Sequence, residues 1–178
     1  MACSALVIGY GSIGKRHVEV MTAIDEIDNL SVLSSQAGLP FQTLSSLEEI
    51  PILDPDYIVV ASPTTAHYSQ LKYLEKHLTQ KTILVEKPLF DSKAEFHSRS
   101  NKIVVAYNLR FHPLISKIRQ LCQDRQLWSI LVVCGSYLPD WRPGRDYRAT
   151  SSAQKSSGGG VLLDLSHELD YVQWLAGP

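Results

Sequence analysis

Apolar positions along this chain gather into short runs set apart by longer polar spacers. Residues 5–9, 30–33, 57–61, 82–85 and 102–106 are each rich in Val, Ile, Leu or Ala, and each is too short to be a helix of ordinary length. Two of the spacers carry apolar residues at helical spacing: Ile13, Val18, Met21 and Ile24 within residues 12–24, and Tyr68, Leu71 and Leu74 within residues 64–77. Strands alternating with such helices predict an α/β fold built on a doubly wound parallel sheet. The pattern weakens over residues 36–56, where Pro40, Pro51 and Pro55 act as breakers and Ser45-Ser46-Leu47-Glu48-Glu49 predicts a short capped helix. The spacer at 91–101 is short for a full crossover.

Beyond residue 110 the character changes. A helical stretch, with Leu114, Ile118 and Leu121, runs from His112-Pro113 to about Arg125, and the apolar run at 128–134 predicts a strand opening a second domain. A polar stretch follows, containing Pro139, Pro143, Gly144 and the triplet Gly158-Gly159-Gly160, long enough to suggest function or disorder. Trp141, Arg142, Arg145, Tyr147 and Arg148 crowd it. They read equally as a loop for an anionic or sugar-like ligand and as an ordinary solvated loop. Over residues 161–175 Leu162, Leu165, Leu169, Val172 and Leu175 recur at helical spacing, predicting one amphipathic helix that ends at Gly177. The expected division is a first domain over 1–110 and part of a second over 111–178.

Composition narrows the classes of function. The 178 residues carry 17 basic and 18 acidic side chains with no basic block, which argues against nucleic acid and anionic membranes as partners. Cys3, Cys122 and Cys134 are odd in number and far apart, a usage that fits a reducing compartment. No apolar stretch reaches the roughly 18 residues of a membrane span, and the start does not read as a secretory leader. A cytoplasmic protein is expected. His17, His67, His77 and His97 show no metal-like clustering, so no metal is expected.

The candidate chemistry begins at the end of the first apolar run. There the chain reads Gly9-Tyr10-Gly11-Ser12-Ile13-Gly14 and passes into a helical pattern. Glycine at the first position allows a tight turn off the strand, at the second lets backbone approach a pyrophosphate, and at the third lets the helix pack closely on the sheet. The unpaired amides of the helix N-terminus supply the anion site. About 20 residues beyond Gly14, where a carboxylate binds the ribose of NAD, the chain has Leu33-Ser34-Ser35. Serine accommodates a 2′-phosphate without repulsion, but no arginine follows, so NAD and NADP both stay open.

Glu86-Lys87-Pro88 stands at the carboxyl end of the run at 82–85, where open parallel sheets bind ligands. Lys87 is the first catalytic candidate, able to donate to a substrate oxygen and steady a developing alkoxide. A cis Pro88 peptide would hold it in one direction. Asp164 and His167, three apart, share one face if their segment is helical, giving an acid and a proton-carrying imidazole; Glu168 and Asp170 read as solvated charges. Tyr107, Asn108 and Arg110 close the run at 102–106 and are substrate contacts or capping and salt-bridge groups.

Taken in order, Gly9/Gly11/Gly14, Ser62-Pro63-Thr64 with His67, Glu86-Lys87-Pro88, Tyr107-Asn108-x-Arg110-Phe111 and Gly158-Gly159-Gly160-x-x-x-Asp164 resemble the Gfo/Idh/MocA oxidoreductases, relatives of glucose-fructose oxidoreductase and inositol dehydrogenase. The resemblance spans essentially the whole chain. It implies a Rossmann domain binding NAD(P), followed by an α/β domain whose sheet takes sugars or cyclitols and often mediates homo-oligomers. It also implies cofactor contacts from residues 9–14, Ser34, Ser35, Ser62, Pro63, Thr64, His67, Glu86 and Lys87. Lys87, Asp164 and His167 then flank the nicotinamide, with Tyr107, Asn108, Arg110, Arg142 and Arg145 toward the substrate. Three features depart from the family: the spacing of Asp164 and His167 is three where four is usual, the ribose carboxylate is missing, and the chain is about half the usual length. The expected activity is hydride transfer between nicotinamide and a carbinol, the alternative a non-catalytic dinucleotide-binding or assembly module.

Overall fold

The computed structural model describes residues 3–141 and 143–177. Its contacts divide the chain into two units, one up to Ala106 and one from Tyr107 onward; the turn at Asn108–Phe111, which straddles the expected boundary at 110, belongs to the second.

The first unit is a parallel six-stranded sheet in the order β3-β2-β1-β4-β5-β6. In chain order it runs β1 (Cys3–Ile8), α1 (Ser12–Thr22), β2 (Ile27–Leu33), β3 (Gln42–Leu44), α2 (Ile50–Leu53), β4 (Tyr57–Val60), α3 (Thr64–His77), β5 (Thr82–Val85) and β6 (Lys102–Val105). The register brings like faces together, pairing Val7 with Val32 and Val59, and Ile8 with Leu33 and Val60. Because side chains alternate across a strand, Ala5 and Val7 face one way and Leu6 and Ile8 the other. Both sides are covered. Val18 and Met21 of α1 join the core of Ala5, Val7, Val32 and Val59, while Leu71 and Leu74 of α3 and Ile50 of α2 join that of Leu6, Ile8, Ile58, Val60 and Ile83. This double burial explains the unbroken apolar residues 5–8 and 57–60, whereas Ser31 interrupts β2 and Lys102 and Val104 leave β6 partly exposed. Leu71 and Leu74 are fully buried, and truncating either to Ala would cost about 2–5 kcal/mol.

Strand β3 gave no signal in the sequence. It has three residues, of which only Leu44 is buried, so an edge position with one inward side chain leaves no periodicity to read. The short capped helix is present as a 3-10 turn at Leu47–Glu49 leading into α2, with Glu49 Oε1 accepting from the amides of Ser45 (2.9 Å) and Ser46 (3.0 Å). The β5–β6 crossover holds no helix, and its Leu89, Phe90 and Phe96 pack on the α3 side of the sheet.

The second unit comprises a 3-10 turn at Asn108–Phe111, α4 (Pro113–Cys122), 3-10 turns between Leu138 and Ser157, α5 (Val161–Asp164) and α6 (Ser166–Ala176). Two expectations are corrected here. The run at 128–134 is not a strand: a strand exists only by pairing with a neighbour, none of the described residues pairs with it, and Trp128, Leu131 and Val133 are largely exposed. The single helix over 161–175 is broken at Leu165, which lies outside helical geometry (φ −99°, ψ 31°). Gly177, at φ 84°, ends α6 as the pattern predicted. Among the described residues no helix is long and apolar enough to cross a membrane.

Candidate functional site

The carboxyl edge of the sheet carries the candidate residues of the first unit. The turn after β1 fits a dinucleotide in three separate ways. Gly9 has φ 97°, and a Cβ there would stand 2.8 Å from Ala61 O and Ser62 N, so only glycine lets β1 turn against the end of β4. At Gly14 a Cβ would meet Gly9 O at 2.0 Å, which is the close approach of helix to strand. By contrast nothing lies within 4 Å of a Cβ on Gly11, whose exposed backbone leaves the approach to the helix start open. The bond from Lys15 N to Gly11 O (2.9 Å) opens the α1 ladder, so the amides of Ser12, Ile13 and Gly14 have no helical carbonyl to bind. Such amides, with the helix dipole, suit a phosphate. The strand order itself points here, because the chain steps from β1 outward to β2 and β3 and then crosses back to β4 on the other side of β1, the switch point where these sheets bind ligands.

Behind this edge several side chains tie the loops together. His67 is buried; its Nε2 faces Ser62 O (3.0 Å), and its Nδ1 faces Pro88 O (3.1 Å) and Leu89 O (3.2 Å). With main-chain carbonyls at both ring nitrogens, His67 braces the turn after β4 to the segment after β5. The resemblance implies the same residue as a cofactor contact. Ser62 Oγ donates to Gln70 Oε1 (2.6 Å), and Thr64 begins α3 directly after Pro63. The Lys87-Pro88 peptide is cis, and Lys87 is half-buried at the end of β5. Glu86 Oε2 accepts from Lys87 N (3.3 Å), while its Oε1 lies 2.7 Å from His17 Nε2 on α1. This last pair joins the helix of the glycine turn to the Glu86-Lys87-Pro88 segment, and sequence reasoning missed it. The two residues are 69 positions apart, and a lone histidine on a helix gives no sign of its partner.

Directly after β2 stand Ser34 and Ser35, with no carboxylate beside them in sequence. Gln36, also unforeseen, donates from Nε2 to Tyr10 O (2.9 Å) and so ties this loop to the glycine turn.

In the second unit Arg110 forms a two-pronged pair with Asp170, Nε to Oδ2 at 2.8 Å and Nη2 to Oδ1 at 2.5 Å. The pair pushes the guanidinium further up from an already high pKa, first through its hydrogen bond to Asp170. Asp170 is therefore not the solvated charge its sequence suggested, since its side chain is only 10% exposed. Glu168 is half-buried as well, and its hydrogen bond raises the Cys134 thiol pKa. Asp164 accepts from Ser152 Oγ (3.2 Å) and Gly160 N (3.2 Å), holding the glycine turn, and the break at Leu165 places it on a different helix from His167. The His167 ring meets the Tyr107 ring edge-on at 5.6 Å between centroids. Asn108 lies in the turn that follows Tyr107. Arg145 is exposed, Arg148 pairs with Asp146 (3.0 Å), and Arg142 lies outside the described residues.

Among the described residues no group of three or more His, Cys, Asp or Glu is placed to hold a metal. Residues 3–102 match a family model described as an oxidoreductase family with an NAD-binding Rossmann fold. The chain is 25% identical over 190 residues to the uncharacterized oxidoreductase YrbE of Bacillus subtilis, covering 96% of this chain and 53% of that protein. It is 30% identical over 133 residues to levoglucosan dehydrogenase of Pseudarthrobacter phenanthrenivorans, covering 70% of this chain and 34% of that one. A crystal structure of scyllo-inositol dehydrogenase from Lactobacillus casei, with bound NAD(H) and scyllo-inositol, superposes with a TM-score of 0.74 at 16% identity, over 99% of this chain and 57% of that one; at that identity the likeness is one of fold. The chain thus spans between a third and about half of the curated relatives. With the glycine turn and switch-point sheet already in place, the match over more than half its length makes this chain a member of the Gfo/Idh/MocA oxidoreductase family.

Proposed function

We propose that this chain binds NAD(P) and belongs to an enzyme that moves a hydride between the nicotinamide and a carbinol carbon of a sugar, sugar derivative or cyclitol. The carrying observation is the glycine turn, where Gly9 and Gly14 allow the close approaches and Gly11 leaves the amides open. The names of levoglucosan dehydrogenase and scyllo-inositol dehydrogenase support the substrate class. When bound, the dinucleotide supplies the hydride chemistry. In this reading Lys87, half-buried at the end of β5, donates a hydrogen bond to the alcohol oxygen and steadies charge on it. Glu86, held by His17, fixes the backbone from which Lys87 extends. His167 carries a proton and Asp164 a hydroxyl or turn contact, with Tyr107, Asn108, Arg110 and the exposed Arg145 as further substrate groups. A homo-oligomer is part of the same proposal.

A second reading, a non-catalytic dinucleotide-binding or assembly module, draws on one observation: both Asp164 oxygens accept bonds from its own unit, as in a structural cap. Titration of the purified chain with NADH and NADPH, followed by fluorescence, is the direct test. Micromolar binding followed by turnover of polyols or sugars supports the enzyme, binding without turnover supports the module, and no binding by a folded chain removes both.

A further inference from the structure

The loop after β2 carries information about which dinucleotide fits. A carboxylate at the end of this strand serves NAD by accepting from the ribose 2′-hydroxyl, and the same negative charge repels a 2′-phosphate. Here residues 29–47 contain no charged side chain at all. Gln36, the next polar group beyond the serines, turns its amide back to Tyr10 O (2.9 Å) and so closes the loop on the glycine turn. What remains at the strand end is hydroxyl. Ser34 Oγ accepts from Gln36 N (3.1 Å), and a hydroxyl that accepts one bond still has its proton to donate. Ser35 next to it is exposed.

A cation stands on the other side of the turn. Lys15 is exposed on the first turn of α1, its ammonium lies 5.4 Å from the centroid of the Tyr10 ring, and it joins no ion pair among the described residues. Its neighbour Arg16 is already paired with Glu19 (3.2 Å). Tyr10 thus lies between the serine loop, through its carbonyl, and the Lys15 ammonium, through its ring. Hydroxyl donors at the strand end, no carboxylate in residues 29–47, and an ammonium without an ion pair among the described residues on the neighbouring glycine turn suit an added dianionic phosphate better than a bare diol.

We propose that this chain selects the 2′-phosphorylated dinucleotide, NADP(H), over NAD(H), with Ser34, Ser35 and Lys15 as the determinants. The preference rests on the dinucleotide reading above and goes against the NAD of the family description. It is set by side chains outside the three glycines.

The test is fluorescence titration of the full chain with NADPH and NADH at low and high salt, with Ser34→Asp and Lys15→Gln alongside and thermal unfolding as the check that each variant is folded. NADPH should bind at least about tenfold more tightly than NADH, with the ratio shrinking as salt screens the phosphate contact. Ser34→Asp should remove most of that ratio by weakening NADPH, and Lys15→Gln should reduce it. Equal or tighter binding of NADH by the unmodified chain overturns the proposal. Binding of neither cofactor by folded protein overturns the dinucleotide reading itself, and the selectivity with it, and is a distinct result from loss of preference alone.

Discussion

His17 on α1 and Glu86 after β5 meet at 2.7 Å, with both side chains largely buried at 20% and 16% exposure. The contact fastens the helix that follows the glycine turn to the segment carrying Lys87. Removing either partner leaves a half-buried polar group without its main partner. His17→Ala and Glu86→Ala are each expected to lower stability by about 1–3 kcal/mol, and the double variant should lose less than the sum of the two. Urea unfolding of the four proteins measures this coupling. Additive losses would show that the contact contributes nothing.

Gly11 and Gly14 separate folding from binding. At Gly14 a Cβ meets Gly9 O at 2.0 Å, so Gly14→Ala must move α1 off the sheet and should lower the thermal midpoint as well as dinucleotide affinity. At Gly11 the added methyl meets nothing within 4 Å, so Gly11→Ala should keep the midpoint and lose about tenfold or more in affinity. The comparison needs only a melting curve and a cofactor titration for each variant. A Gly11→Ala protein that binds normally would take the pyrophosphate away from this turn.

Asp56 sets part of the acid response. Its Oδ2 accepts from Ser4 N (2.9 Å) and Ser4 Oγ (2.8 Å), linking the start of β1 to the residue before β4. The Ser4 amide, then the Ser4 hydroxyl, hold its carboxyl pKa below the ordinary value. A carboxyl lowered in this way contributes stability above its unfolded pKa of about 3.9, and the contribution disappears as pH falls through the lower folded value. Asp56→Asn should therefore narrow the gap between stabilities measured at pH 6 and at pH 3. Parallel pH profiles for the two proteins would show that the group does not act.

Lys87 gives the catalytic prediction. Lys87→Ala is expected to keep cofactor affinity within a few-fold and to lose at least about a hundredfold in turnover, the usual scale of a proton-transfer or oxyanion group. Steady-state kinetics on whichever sugar or polyol the unmodified chain turns over, with a parallel cofactor titration, decides it. Full activity would remove the lysine from the mechanism.

The sequence by itself determined most of the sheet, because the central stretch of a strand buried on both faces is mainly apolar, as residues 57–61 and 82–85 are. It determined the glycine turn too, since Gly9 and Gly14 meet steric limits that no other residue satisfies. It missed Gln42–Leu44, where a short edge strand buries one side chain and so leaves no period. It also read a strand into residues 128–134, because apolar residues mark what a segment would bury while only a neighbour makes it a strand. Only the tertiary structure decided the partners: that His67 braces loops, that His17 holds Glu86, that Arg110 takes Asp170, and that Leu165 parts Asp164 from His167. Those outcomes depend on contacts between distant positions, or on local geometry that a hydrophobic period does not encode. A pattern along the chain records which side chains avoid water; which polar groups then meet is settled when the elements pack.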